Sequence, residues 1–265
     1  MSDERKKYLK QVKIEKVLIL ASQILFLILF LSVWEIGANE GWIDSFITSS
    51  PSRILNTFRN FESNNLIEHI KVTVFETFIG FSLGTIMGLI IAIILWWSKF
   101  ISKVSEPYLV ILNSLPKVAL GPIIIIWVGA GTSAIIVMAI AISLIVTILD
   151  ILNGFINTDK DLIKMAKTFK ASKFQILTKI IIPANISTFI NSLKINIGLS
   201  LVGVISGEFL ISKSGLGYLI TYGGQVFKLD LVMSSVIILG IVAGLMYLSV
   251  LLLEKLILKR KGIKK

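Results

Sequence analysis

The amino-acid sequence predicts an all-α protein that crosses a membrane six times, and three observations carry that prediction. Hydrophobic residues make up 55% of the 265 positions, and the mean hydropathy is +0.86. That is well above the balance of a soluble domain. The apolar residues come in long blocks, and about 20 of them in a helix cross a hydrocarbon core of roughly 30 Å. The 27 lysines and arginines, which leave a formal charge of +11, sit at the edges of the blocks. This placement is a topology signal and argues against nucleic acid as a partner. The chain has no cysteine and one histidine, so a disulfide or cysteine-ligated metal is excluded and no metal site is expected.

Taken in order, residues 1–16, MSDERKKYLKQVKIEK, form a basic cytoplasmic segment. The run that follows, about 17–38, has no small-residue cleavage site and reads as a retained span rather than a signal peptide. The polar stretch 39–66 includes SSPSRIL, a helix start with Pro51 in the first turn, where a missing N–H costs nothing. Further spans are expected at 67–97, 105–128, 133–153, 184–210 and 229–254. Twenty of the 27 basic residues then fall on one side: six before the first span, two in 98–103, six in 154–182 and six from Lys255 onward. Arg53, Arg59, Lys213 and Lys228 fall on the other, and Lys71, Lys117 and Lys194 within spans. The asymmetry predicts both termini and the 154–182 loop in the cytoplasm. No linker or second soluble domain is visible, and one transmembrane domain fills residues 1–265.

Glycines four apart recur at Gly80, Gly84 and Gly88, at Gly203 and Gly207, and at Gly240 and Gly244. Such spacing lets helices approach closely in lipid; packing within one bundle is the favoured reading, a dimer seam the alternative.

The loop 158–183 reads as two short helices. Thr158 with Asp161 is a candidate cap for the first, and Ser172 with Gln175 has capping-box spacing for the second. Leu162, Met165, Ala166 and Phe169 share one face of the first, and Phe174, Leu177 and Ile181 one face of the second. Lysines 160, 164, 167, 170, 173 and 179 take the other faces. Such a loop either lies on anionic lipid or presents its apolar stripe to a cytoplasmic protein.

The residue order resembles the EAA motif of ABC-importer permeases. Lys164-Met165-Ala166 stands at the Glu-Ala-Ala positions, Lys170 at the glycine, and Ile180-Ile181-Ile182-Pro183 at the Ile-x-Leu-Pro end. The spacing is kept, whereas the glutamate, the first alanine and the glycine are not. TSSPSRIL, EPYLVILNSLPKVALGPIIIIWVGAG and GEFLISKSGLGYLI are similar to segments of the nitrate/sulfonate/taurine branch, with Pro107, Pro116, Pro122, Gly129, Gly131, Glu208, Gly215 and Gly217 in place. Ser187 stands where that branch often has a second proline.

The resemblance implies a six-helix type I ABC importer permease in the cell membrane that performs no chemistry. Two copies, expected as a homodimer, would form the pathway. Separate ATPase subunits, holding ATP and Mg, would grip the 158–183 loop through Leu162, Lys164, Met165, Ala166, Phe169, Lys170, Ala171, Ser172, Phe174, Leu177 and Pro183. An extracytoplasmic binding protein would deliver a sulfonate, taurine, nitrate, bicarbonate or vitamin precursor. The chain carries no phosphate-binding loop; Gly207 to Ser214, GEFLISKS, lacks the second glycine and a preceding strand.

Polar residues inside spans are expensive and invite explanation. Lys117 and Lys194 each lie about ten residues in from the cytoplasmic end, roughly 15 Å deep. Asn113 and Asn191 precede them on about the same faces, and Pro116 adjoins Lys117. These faces either line a pathway with a positive field, or the lysines snorkel or pair with a carboxylate such as Glu106. Glu208, with Gly215 and Gly217, belongs to the external mouth, where it meets the binding protein or caps local backbone. Glu76 and Asp150 are either proton sites or, as the favoured reading, bonded to neighbouring helices, and His69 is expected to be surface. An ion-gradient-driven secondary transporter is the leading rival, but it calls for paired mid-membrane acids and internal repeats. An intramembrane enzyme needs a catalytic cluster that is not visible, and a non-transporting assembly subunit is the third alternative.

Overall fold

The computed structural model describes residues 3–59 and 65–260, with side chains for 7–59 and 65–259. The described residues form helices and turns, with no strand among them. In hydrocarbon each backbone N–H and C=O must be satisfied within its own segment, so an apolar run of this length has helix as its solution. The long helices are α1 (Asp3–Asn39), α4 (Leu66–Trp97), α7 (Thr132–Ile156), α11 (Ile186–Ile211) and α13 (Leu229–Arg260), and all five are long and apolar enough to cross a membrane. The basic residues Lys261, Lys264 and Lys265 lie outside the described residues.

The expected third span, 105–128, is not one helix. It is α5 (Lys99–Ser114), a 3₁₀ turn at Lys117–Leu120 and α6 (Gly121–Val128), bent by 90° at the break. Pro116 is the cause. It cannot donate to the helical ladder, and it pushes Leu115 out of the α region, to φ −66° and ψ 139°. Pro122 then sits in the first turn of α6, where its missing N–H is harmless. The bent pair makes up the sixth span only if the two halves are counted together.

Helices α4, α7 and α11 form the centre. A methyl group on Gly80 would lie 2.6 Å from the Ala139 Cβ, and one on Gly84 2.5 Å from the Ser143 hydroxyl. From α11, a methyl on Gly203 would meet the Ala139 backbone at 2.5 Å. These glycines are therefore contact points within the bundle, where close backbone approach supplies the dispersion attraction that lipid exclusion cannot. Gly240 and Gly244 differ: a methyl group on either would meet nothing within 4 Å outside its own helix.

Each end of the bundle has its own apolar cluster. At one, Leu95, Ile151, Leu152 and Phe155 pack with Ile176, Leu177 and Ile181 of the 158–183 loop. At the other, Leu66, Leu201 and Ile205 pack with Leu216, Leu219 and Leu231, the first two of these from α12 (Leu216–Gln225). Here the short helices α2 (Ser45–Thr48) and α3 (Pro51–Arg59) pack against α13 and α1. The Arg53 guanidinium meets the Asp230 carboxylate at 2.9 Å, and the Ser49 hydroxyl donates to the same group at 2.7 Å. Helix α1 is tied on mainly by its last turns, where Glu35 accepts from the Ser52 N–H at 3.0 Å. The apolar length of α1 is exposed throughout.

Candidate functional site

The 158–183 loop folds as two short helical arms, α8 (Lys160–Thr168) and a second arm made of α9 (Lys173–Ile176), a wide π turn (Leu177–Ile181) and α10 (Ile182–Ala184). The cap of α8 is Asp159, whose carboxylate accepts from the Asp161 N–H at 2.8 Å, rather than the expected Thr158. Thr158 belongs to the end of α7, donating to the Gly154 carbonyl at 3.2 Å and accepting from Asn185 Nδ2 at 2.7 Å. A carboxylate one residue nearer the helix is the stronger acceptor for its free N–H groups.

Between the arms, Lys170 takes φ +58°. Its N–H bonds to the Lys167 carbonyl at 2.9 Å, and the Ala171 N–H to the Ala166 carbonyl at 3.0 Å. This pair of bonds is the Schellman ending, which ordinarily uses glycine at the left-handed position. The chain thus makes the turn with a lysine, at the conformational cost a Cβ brings. The second arm opens with the expected capping box: Gln175 N–H to Ser172 Oγ at 3.2 Å and Ser172 N–H to Gln175 Oε1 at 2.8 Å. Pro183 lies in α10 and does not open α11, which starts at Ile186 rather than 184. Asn185 interrupts the two, its side chain donating to the Ile181 carbonyl at 2.9 Å as well as to Thr158.

The expected apolar faces are split by the tertiary structure. Ala166, Leu177 and Ile181 turn into the bundle and are buried. Leu162, Met165, Phe169 and Phe174 point away and are 41%, 54%, 79% and 63% exposed. Lys164 pairs with Asp161 at 2.9 Å on the open surface, where such a pair adds little. The loop is therefore anchored by one set of apolar residues and presents another.

At the opposite end, the Glu208 carboxylate is buried in a knot of backbone. It accepts from Thr73 Oγ at 2.6 Å and from the Gly217 N–H at 2.5 Å. Thr73 in turn accepts from the Leu216 N–H at 2.8 Å. Gly215, at φ +105°, and Gly217 wrap the carboxylate so closely that a methyl group on either would overlap it. Of the two roles open to Glu208 from sequence, this geometry gives it the capping of local backbone. His69 is not simple surface: its Nδ1 accepts from the Gly215 N–H at 2.9 Å, and its ring stacks on Tyr218 with centroids 5.8 Å apart. Glu76, also buried, lies on α4 one turn beyond Thr73.

Lys117 and Lys194 have different partners. Lys117 lies at the Pro116 break, not within a straight span, and its ammonium donates to the Asn113 carbonyl at 3.0 Å. It thereby caps the end of α5. Lys194 pairs with Glu254 of α13 at 2.6 Å, with side chains 14% and 9% exposed. The carboxylate is Glu254, not Glu106, and it balances the charge that the positive-field reading assigned to Lys194. Asn191 is exposed beside it. Sequence reasoning missed Asn196 altogether. Its amide donates to Thr85 Oγ at 3.3 Å and to Thr147 Oγ, joining the three central helices. A second residue whose role was missed is Lys173, whose ammonium donates to the Trp97 carbonyl.

Comparison with known proteins matches residues 84–263 to the family described as the binding-protein-dependent transport system inner membrane component. A "Probable ABC transporter permease protein" of Haemophilus influenzae is 31% identical, over 83% of this chain and 89% of its own. A "Putative aliphatic sulfonates transport permease protein SsuC" of Bacillus subtilis is 26% identical, over 86% of this chain and 83% of its own. Among solved structures, an inward-facing form of the MetNI methionine ABC transporter aligns with TM-score 0.65 at 17% identity, over 76% of this chain and 96% of that one. A bacterial ABC transporter involved in alginate import aligns with TM-score 0.64 at 16% identity, over 96% and 99%. Both likenesses are of fold.

Proposed function

We propose, from the premise that the chain belongs to the binding-protein-dependent transport system inner membrane component family, that it is the permease subunit of an ATP-driven importer. It performs no chemistry. ATP and Mg belong to separate ATPase subunits, a binding protein outside the cell hands over the solute, and a second copy of this chain completes the pathway. Both termini and the 158–183 loop face the cytoplasm, in keeping with the excess of basic residues on that side.

The observation that carries the reading is the two-sided loop. Ala166, Leu177 and Ile181 fix it to the bundle, while Leu162, Met165, Phe169 and Phe174 offer an unfilled apolar surface. A partner that grips this surface and moves can rock the helices beneath it, the hinge-and-shear element of alternating access. A loop that merely lay on lipid would not need a second, inward-facing apolar set.

The solute is a small anionic or polar molecule of the sulfonate, taurine or vitamin-precursor class, by analogy with relatives named for aliphatic sulfonates, taurine, formylaminopyrimidine and riboflavin. Asn113, Pro116 and Lys117 at the break of the third span, with Asn191 beside Lys194, are the pathway candidates. The test is purification through a C-terminal tag with mass spectrometry of what accompanies the chain. An ATPase at one copy per permease is the expected result. A lone chain that transports taurine into liposomes without ATP overturns it.

A further inference from the structure

We propose that Lys173 is a positioning residue that ties the docking loop to the α4–α5 corner, so that displacement of the loop is carried into α4. The proposal rests on the docking role proposed for the loop, and adds the link by which docking becomes helix movement. Among the described residues, the other hydrogen bonds made by 160–176 stay within the 158–183 loop. Lys173 alone reaches across, donating to the carbonyl of Trp97, the last residue of α4 and 76 positions away in sequence.

Three features converge on this ammonium. The Trp97 carbonyl is one of the acceptors that a helix leaves unpaired in its last turn, and a cation there also meets the negative end of the helix dipole. The charge lies 5.4 Å from the Trp97 ring centroid and 5.8 Å from that of Trp96, within the range of a cation–π contact. The corner is itself held: the Ser98 N–H bonds back to Ile94 O at 3.3 Å, and the Ser98 hydroxyl caps α5 by accepting from the Ile101 N–H, also at 3.3 Å. A pull on Lys173 is therefore applied to the end of α4 and the start of α5 together.

The apolar anchor beneath does not do this unaided. Ile176, Leu177 and Ile181 are buried against side chains of α4, α5 and α7 alike, and such contacts are non-directional. The bond from Lys173 selects the α4–α5 corner. Lys173 is exposed, so its replacement leaves the packed cluster intact.

The test uses the complex purified with its ATPase and reconstituted in nanodiscs. The cysteine-free chain takes spin labels at Thr168 and Lys99, both exposed. In the unaltered chain the distance between the labels is expected to be the same without nucleotide and with Mg-ATP and vanadate, because loop and corner move as one body. Lys173→Met is expected to recover ATPase within twofold of the unaltered chain, yet to show a distance that changes with nucleotide. Lys173→Arg, which keeps a cation and donors, is expected to behave as the unaltered chain. If Lys173→Met leaves the distance insensitive to nucleotide, the proposal is overturned. If that variant alone fails to recover ATPase, Lys173 is a docking contact and the positioning role is likewise overturned. An unaltered chain that recovers none removes the docking reading, and this proposal with it.

Discussion

The Glu208 carboxylate accepts the Gly217 backbone N–H at 2.5 Å, joining the end of α11 to the first turn of α12. This contact, with Thr73 on the other oxygen, explains why a glutamate and a Gly-Leu-Gly occur together. The carboxylate fills the space that two side chains would otherwise occupy.

Gly215→Ala therefore meets both an overlap with the Glu208 carboxyl and a left-handed φ of +105°. A loss of roughly 1–3 kcal/mol is expected from backbone strain alone, with the overlap adding to it. Glu208→Ala strands the Gly217 N–H, at about 1–3 kcal/mol per unsatisfied buried group; Glu208→Gln keeps the shape and loses less. Thermal unfolding in detergent, followed by fluorescence-detected gel filtration, should rank the three with Glu208→Gln the most stable.

The Lys194–Glu254 pair predicts a non-additive cycle. Removing one partner of a buried pair costs up to about 3–5 kcal/mol, while replacing both with apolar groups is often near neutral. Lys194→Met should lower the melting temperature, and Lys194→Met with Glu254→Met should recover most of the loss. Taurine or sulfonate uptake that survives in the double variant would take Lys194 out of the pathway. If Lys117→Gln and Lys194→Gln both leave uptake and selectivity unchanged, the positive-field idea fails as a whole.

Lys170 holds a left-handed conformation at φ +58°. Lys170→Gly removes the steric penalty of the Cβ there, at a price in unfolded-chain entropy, for a net gain of about 0.5–1 kcal/mol. Slower hydrogen exchange of the Ala171 amide, which closes the Schellman turn, is the expected signature. Faster exchange would mean that the lysine side chain contributes something glycine cannot.

Phe169, 79% exposed, can be made polar without disturbing the bundle. Phe169→Ser and Met165→Ser are expected to lower ATPase recovery in pull-down by at least tenfold together, the effect of about 1.4 kcal/mol lost binding. The chain should run unchanged on gel filtration. Unaltered recovery would remove the exposed stripe from the dock.

The glycine stripes divide by what they face. Gly84→Val drives a side chain into Ser143, and overpacking of that kind typically costs about 1–3 kcal/mol. At Gly244 a Cβ would meet nothing within 4 Å outside its own helix, so Gly244→Val should cost the monomer less stability than Gly84→Val. A loss of dimer for Gly244→Val alone, seen by light scattering, would place α13 at the seam between copies.

Local chemistry decided much of this molecule before any tertiary contact formed. Long apolar runs set the helices, because hydrocarbon leaves the backbone no other partner. Ser172 and Gln175 built their capping box across three residues, and Pro116 stopped α5 through its own ring geometry. The spacing from Lys164 to Pro183 survives even where the motif residues have changed. What sequence could not decide was direction. Lipid is as apolar as leucine, so a span carries little amphipathic record of which face turns inward. Gly80 and Gly244 look alike in sequence until a neighbour packs on one and not the other. The same holds for pairs distant along the chain: Lys194 with Glu254, Lys173 with Trp97, and Glu208 with Thr73. Each depends on two helices meeting at a particular rotation and depth. Only the packed bundle, through close glycine contacts and buried polar bonds, fixes both.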